Sequence, residues 1–339
     1  MSPSLLSDIV GHRVPLRILQ RALELNRIFP AYLFEGQDGI GKELVAFAFA
    51  QALLCESRGI HEQSNGTACG ICSACARVRL REGVPLHPDL VLLERGLYDP
   101  AQIGRRTPEA KLISIEQIHS VVHSRLPFPP YEGQARVFII RRADELSVSA
   151  ANALLKVLEE PPLRTCFILL STKAHSLLPT IRSRMQRIPF GVLSIAEISQ
   201  ILQRRDVNAE QADRIASLAD GDAAHAWMIY KNELMAEQEH FVSKVFEAMQ
   251  SSSPLEILIL ADTAKKDKTN LPLLLRVLAL VLARREREGI LKSCFAVGTY
   301  ATLYERVLKA LNQIQMNASP QLVMETLLIQ MQHEWSKKN

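Results

Sequence analysis

Apolar residues at Leu16, Leu19, Ala22 and Leu23 recur three to four places apart and predict an amphipathic helix, and the short run Ala31–Phe34 after Pro30 predicts a buried strand. A glycine-rich segment, Gly36-Gln-Asp-Gly39-Ile-Gly41-Lys42-Glu43, follows directly, and then the strongly helical Leu44–Leu54. Further strands are predicted at Leu90–Leu93, Val137–Ile140 and Cys166–Leu170, separated by helical sequence such as Ile115–Leu126 and Ala150–Leu158. Strands alternating with helices imply a parallel sheet covered on both faces. After Phe190 the strand signal stops. Ile195–Arg204, Ala209–Leu218, Phe241–Met249, Leu271–Glu286 and Ala301–Ile314 read as amphipathic helices, so the second half is expected to be all-α. The expected organisation is an α/β domain over 1–190, a small helical domain over 191–236 and a larger helical domain over 237–339.

Composition narrows the class. The chain's 339 residues suffice for two to three domains at about 150 residues each. An apolar content of 47% supplies real cores and excludes collagen-like, disordered and disulfide-stapled readings. A net charge of +4 is too mild for a dedicated nucleic-acid coat, although one basic face remains compatible with it. The longest apolar run, Leu271–Ala283, falls short of the ~20 residues of a bilayer span and carries Arg276, so no membrane partner is expected. Met1–Asp8 lacks the basic start and apolar stretch of a secretory signal, and a cytoplasmic location is expected. Thiols stay reduced there, which turns clustered cysteines into candidate metal ligands.

The segment Gly36 to Lys42, with glycines at Gly36, Gly39 and Gly41 and the lysine at Lys42, fits the first seven places of a phosphate-binding loop between a strand and a helix. In such a loop backbone N–H groups converge on phosphate oxygens and the lysine neutralises their charge. The next place calls for a Ser or Thr hydroxyl to ligate Mg²⁺, and here it is Glu43. A hydrolytic site also needs an acidic pair at the end of a neighbouring strand, yet Val137–Ile140 is followed by Arg141 and Arg142. Asp144 and Glu145 come later and are expected to form a solvated helix start. ATP hydrolysis is therefore not expected, and nucleotide binding at Lys42 stays open.

Cys55, Cys69, Cys72 and Cys75 offer four thiolates, and their overlapping C-x₂-C pairs place three sulfurs within reach of one tetrahedral Zn²⁺. His87 competes for the fourth place, while Cys166 and Cys294 read as plain thiols. Arg77, Arg79 and Arg81, followed by Arg105, Arg106 and Lys111, form either a basic patch near nucleic acid or a set of solvated or subunit-contacting charges.

Six segments carry a resemblance: Ile9-Val-Gly11-His12, Ala31–Gly36, Cys69–Cys75, His87-Pro-Asp89, Ala151–Pro162 and Leu178–Arg184. Together they make the chain similar, over nearly its whole length, to the delta-prime family of bacterial DNA polymerase III clamp-loader subunits. The resemblance implies an AAA+ P-loop NTPase-like domain with a structural zinc module at about 55–80 held by Cys55, Cys69, Cys72 and Cys75. It also implies a small helical lid domain and a C-terminal helical collar domain. The implied partners are gamma/tau and delta subunits in a hetero-pentamer, the sliding β clamp, and primed DNA passing through the assembly. Active relatives would carry Thr or Ser at 43 and Asp-Glu at 141 and 142, and a γ-phosphate-sensing lid arginine aligns with Ala224. The resemblance further implies that Arg184 acts as an arginine finger in trans. The expected role is a stator-like subunit with no enzyme activity of its own inside a nucleotidyltransferase holoenzyme. Two alternatives stand beside it: an active gamma-type ATPase and a zinc-dependent nucleic-acid-binding module.

Overall fold

Alternation along the predicted strands resolves into two buried faces in the computed structural model of the chain. It describes residues 5–58, 67–78, 85–103, 112–231, 234–250, 257, 259–262, 271–291, 298–315 and 318–336. Strands β1 (Ala31–Glu35), β2 (Leu90–Leu93), β3 (Arg136–Ile140), β4 (Thr165–Ser171) and β5 (Gln186–Pro189) form one parallel sheet in the order β2-β3-β4-β1-β5. That order, with a glycine loop and helix leaving β1 between β4 and β5, is the AAA+ P-loop arrangement expected from the sequence.

Tyr32 and Phe34 of β1, Val137 and Ile139 of β3, and Cys166 and Ile168 of β4 face one core. Helices α1 (Arg13–Glu24) and α2 (Lys42–Leu54) pack there. The intervening residues Leu33, Phe138, Ile140, Phe167 and Leu169 face the opposite core, and Phe138 stacks on Phe167 with ring centroids 4.7 Å apart. Helix α2 is buried from Val45 to Leu54, which explains why its sequence shows no polar stripe. A short α3 (Ser73–Arg77) also joins the first core through Cys75.

Two elements differ from the pattern that the sequence predicts. β5 went unpredicted because only Ile188 of Gln186–Pro189 is buried, so no apolar run announces it; its backbone pairing with β1 makes it a strand. The helix predicted over Ile115–Leu126 is instead a short α4 (Ile115–Gln117), capped reciprocally by Ser114 and Gln117, that widens into a π-helical turn over Ile118–His123. The hydroxyl of Ser120 bonds back to the Glu116 carbonyl at 2.8 Å along this segment. Helix α5 (Val148–Glu159) covers the second face, and the short α6 (Pro179–Arg182) leads into β5.

Contacts divide the chain into two units, Met1–Arg204 with Gly221–Ala224, and Arg205–Asp220 with His225–Asn339. The first ends with α7 (Ile195–Gln203), started by a Ser194/Glu197 capping box. In the second lie α8 (Ala209–Leu218), most of α9 (Ala223–Lys231), α10 (Leu234–Gln250), α11 (Leu271–Leu291), α12 (Thr299–Gln315) and α13 (Pro320–Ser336). Helices α10 to α13 share a core that includes Val245, Leu275, Leu278, Leu303, Val307 and Met324. The described second half is all-helical, as expected. The polar segments Ser251-Ser-Ser-Pro254 and Lys265–Asn270, which the sequence places between helices, lie outside the described residues. No helix among the described residues is long and apolar enough to cross a membrane.

Phe167 is fully buried between the stacked Phe138 ring and the second core. Phe167→Ala is predicted to destabilise the sheet unit by about 3–5 kcal/mol. Urea unfolding monitored on that unit checks it; a loss of under ~1 kcal/mol would contradict this packing account.

Candidate functional site

The glycine loop leaves the carboxyl end of β1 and enters α2 at Lys42. Gly39 and Gly41 hold φ of 74° and 104°, a region costly for any residue with a Cβ, which is why glycine stands at these places. At Gly39 a Cβ would also strike the Asp222 carboxylate at 1.9 Å. Lys42 is 7% exposed and its ammonium donates to the carbonyls of Gly36, at 2.8 Å, and Gln37. Burial lowers the Lys42 pKa, opposed by the carboxylates of Asp38, Asp144 and Asp222. Gly36, Gly39, Gly41 and Lys42 are thus brought together as one loop. His12 closes its far side, with Nε2 2.6 Å from the Ile40 carbonyl.

Two of the positions where the sequence departs from an ATPase, 43 and 141, meet each other. Glu43, in the first turn of α2, is ion-paired with Arg141 at the end of β3, and the other arm of Arg141 donates to Glu94, just past β2, at 2.7 Å. The guanidinium is largely buried, lying 6.0 Å from the centroid of Phe47. Burial opposes its charge, but the Glu94 hydrogen bond and the Glu43 carboxylate outweigh that and raise its pKa. Sequence reasoning did not single out Glu94. Its signal was available: an acidic residue directly after the four apolar residues of β2.

Asp144 and Glu145 are not a solvated helix start. They form a short 3₁₀ turn, Ala143–Glu145, in which Asp144 accepts from the Ser171 hydroxyl at 2.7 Å and the Thr172 N–H at 3.1 Å, tying the end of β3 to that of β4. Glu145 pairs with Arg142 at 3.1 Å and with Arg95 at 3.6 Å. Both carboxylates thus have partners within the chain. Ala224 contributes only backbone, its N–H reaching the Gly39 carbonyl at 3.2 Å.

Three arginines near β5 are held differently. Arg187 forks onto Glu35, Nη2 donating to both carboxylate oxygens at 2.9 Å and Nε to one of them at 3.2 Å. Arg182 is half-buried, its Nε without a hydrogen-bond partner. Arg184 is exposed, donating to the Thr180 carbonyl at 3.1 Å and pairing with Glu159, at the end of α5, at 3.0 Å.

The cysteines converge. Cys55 ends α2, Cys69 and Cys72 flank a turn through Gly70 at φ 76°, and Cys75 lies in α3. Their sulfurs all lie within 4.8 Å of one another, with Cys55–Cys72 and Cys69–Cys75 each at 3.9 Å. Four thiolates about 2.3 Å from one zinc ion would sit ~3.8 Å apart, so the donor set fits a tetrahedral ion. Backbone N–H groups of Cys69, Cys72 and Cys75 each point at a preceding sulfur at 3.4 Å, favouring the ligating thiolate form. Although burial works the other way, such N–H donors bring Cys69 down to about 7, whereas burial pushes Cys75 up. His87 is not in this group: it is buried, with Nδ1 accepting from the Asp89 N–H at 3.1 Å. Cys166 is a buried thiol in β4, as expected, and Cys294 lies outside the described residues.

Of the basic candidates, Arg77 is paired with Glu132, while Arg79, Arg81, Arg105, Arg106 and Lys111 lie outside the described residues.

A family model described as DNA polymerase III, delta subunit, matches residues 11–194. The chain is 29% identical over 269 residues to the DNA polymerase III subunit delta-prime of Bacillus subtilis, covering 78% of this chain and 74% of that one. It is 30% identical to the delta-prime subunit of Pseudomonas aeruginosa, covering 66% and 64%. It is also 28% identical to the subunit tau of Bacillus subtilis, covering 78% of this chain but 43% of tau, so it spans less than half the length of that relative.

Proposed function

The chain belongs to the delta-prime family of DNA polymerase III clamp-loader subunits, and on that premise we propose that it is the subunit that does not turn over ATP and instead supports its neighbours. It assembles with gamma/tau and delta subunits in a hetero-pentamer in the cytoplasm, helps open the sliding β clamp, and helps place it on primed DNA. Residues 1–190 serve as the AAA+ domain, 191–236 as the lid and 237–339 as the collar. The observation that carries this reading is a contrast within one chain. Position 43 and position 141 are committed to pairing with each other, while Ser183–Arg184 stands exposed at the surface.

Phosphoryl transfer is catalysed by placed charge: a metal on the phosphates, a positioned water, and a cation on the leaving or transferring group. With Arg141 where an acidic metal partner would stand and Asp144 tied to Ser171 and Thr172, the first two are missing from this chain. The third can still be given away. A guanidinium forks onto phosphate oxygens, and the exposed Arg184–Glu159 pair is screened by solvent, so exchanging Glu159 for a neighbour's γ-phosphate costs little. Arg187 is held on Glu35 by three hydrogen bonds and Arg182 is partly buried, whereas Arg184 meets Glu159 in a single exposed pair, which supports the assignment of Arg184 that the family resemblance implies.

Zinc would be held by Cys55, Cys69, Cys72 and Cys75, and its contribution would be to hold α3 and the turn at Gly70 against the end of α2. Four thiolates leave no place for a water ligand, so the role is structural.

The isolated chain is predicted to release no phosphate from ATP. Reconstituted with gamma/tau and delta subunits, Arg184→Ala should assemble normally but lower DNA- and clamp-stimulated ATPase and clamp loading, while Lys42→Ala changes them little. Fingers given in trans are worth about 10³–10⁵ at the site they serve, and the whole-complex loss is smaller because only one site is affected. Assembled Arg184→Ala complexes loading clamps at the unmutated rate would overturn the finger; ATP turnover by the isolated chain that vanishes in Lys42→Ala would favour the gamma-type ATPase.

Metal analysis of the purified chain is predicted to find one zinc per chain, lost in Cys72→Ser, with increased protease sensitivity around α3 and a retained sheet. A zinc-free chain of unchanged stability with four titratable thiols at these positions would refute the module.

A further inference from the structure

In a working phosphate loop, the residue after the lysine and an acidic residue at the end of a neighbouring strand reach the same bound Mg²⁺ from two sides. Here those two side chains touch directly. Glu43 comes from the first turn of α2, Arg141 from the end of β3, and Glu94 from the end of β2, so three separate segments meet on one largely buried guanidinium. A surface ion pair between neighbours in sequence would need no explanation; a bridge between residues 98 and 47 positions apart, on the spot where a metal belongs, does.

The two departures also make sense only together. Glu43 without Arg141 would leave two carboxylates, Glu43 and Glu94, facing each other at a half-buried position; Arg141 without Glu43 would leave a buried cation with one partner. The glycine loop carries its own negative group as well: the Asp222 carboxylate lies against Gly39, and Lys42 is turned onto loop carbonyls. The metal position is thus already filled by a cation held between two carboxylates, and a divalent ion brought there would meet that like charge at close range.

We propose that Arg141 is the resident cation of this site, a protein-supplied replacement for the divalent metal, and that the Glu43–Arg141–Glu94 bridge keeps metal-bound nucleoside triphosphate out of the phosphate loop. Loss of turnover then follows from exclusion of the metal, and the loop keeps its shape without nucleotide. This deepens the reading of the chain as a non-hydrolysing subunit and rests on it, but it concerns binding, which that reading leaves open.

The test uses the full chain and a fluorescent ATP analogue, titrated with Mg²⁺ and again with EDTA. The unmutated chain is expected to show no Mg²⁺-strengthened binding. Glu43→Thr alone gains none, because Arg141 still fills the metal position. Glu43→Thr/Arg141→Asp is expected to gain Mg²⁺-dependent binding of about tenfold or more over the unmutated chain. Unfolding of the singles and the double completes a cycle, in which the bridge predicts that the effects are not additive. Mg²⁺ strengthening binding to the unmutated chain tenfold, or Glu43→Thr gaining as much as the double, overturns the proposal, and the first of these needs no variant to fold. Tight Mg²⁺–analogue binding without phosphate release would remove the exclusion and leave the non-hydrolysing role standing. A normal Arg184→Ala complex with the bridge results intact would remove the finger and leave the exclusion standing.

Discussion

Parallel strands buried on both faces can present reactive side chains only where they end, and that constraint arranges everything else in the sheet unit. Each residue of the candidate site follows from it. Gly36 leaves β1, Glu94 leaves β2, Arg141 leaves β3, Ser171 closes β4 and Phe190 follows β5, all at carboxyl ends of strands that run the same way. The strand interiors are committed to packing, with Phe138 on Phe167 on one face and Tyr32 against Phe49 on the other. A substitution inside a strand therefore tests stability, and one just beyond its end tests chemistry.

Charge at those strand ends is satisfied almost wholly from within the chain. Lys42 meets loop carbonyls, Arg141 meets two carboxylates, Asp144 meets a hydroxyl and a backbone N–H, and Arg187 meets Glu35. Buried polar groups must be paired, and in a nucleotide-using site ligand and metal supply part of the pairing. Here protein supplies it. The cysteine cluster stands apart in this respect: among the described residues, four sulfurs brought to within 4.8 Å of one another by α2, a glycine turn and α3 meet each other and a few N–H groups.

Much of this was legible in the sequence because the relevant signals are local. The strand, glycine loop and helix at 31–54 announce themselves by composition and spacing, as do the cysteines at 69, 72 and 75 and the departures at Glu43 and Arg141. What escaped depends on pairing across long separations. β5 is a strand through hydrogen bonds to β1, with one buried side chain to mark it. Glu94 and Asp222 matter through partners that folding brings to them, Arg141 for one and the loop around Gly39 for the other. Asp144 was misread for the same reason: its partners, Ser171 and Thr172, lie on another strand. The π-helical turn at 118–123 defeats a 3.6-residue pattern that otherwise reads as an ordinary helix.

The separation between the phosphate loop and Arg184 completes the physical picture. The loop's shape is set by β1, the start of α2 and the turn at Gly221–Ala224, whereas Arg184 is set by α6, the Thr180 carbonyl and Glu159 at the end of α5. No hydrogen bond or ion pair of the described Arg184 reaches the loop. Residues that lack shared partners contribute nearly independently, so altering one set leaves the other's geometry in place. A chain built this way can lose the metal position of its own loop through Glu43 and Arg141 while keeping a presentable guanidinium at its surface. The two sets of residues share no partners, which is the physical condition that the proposed division of labour requires: a loop altered at its own metal position and an arginine left in place for a neighbour's.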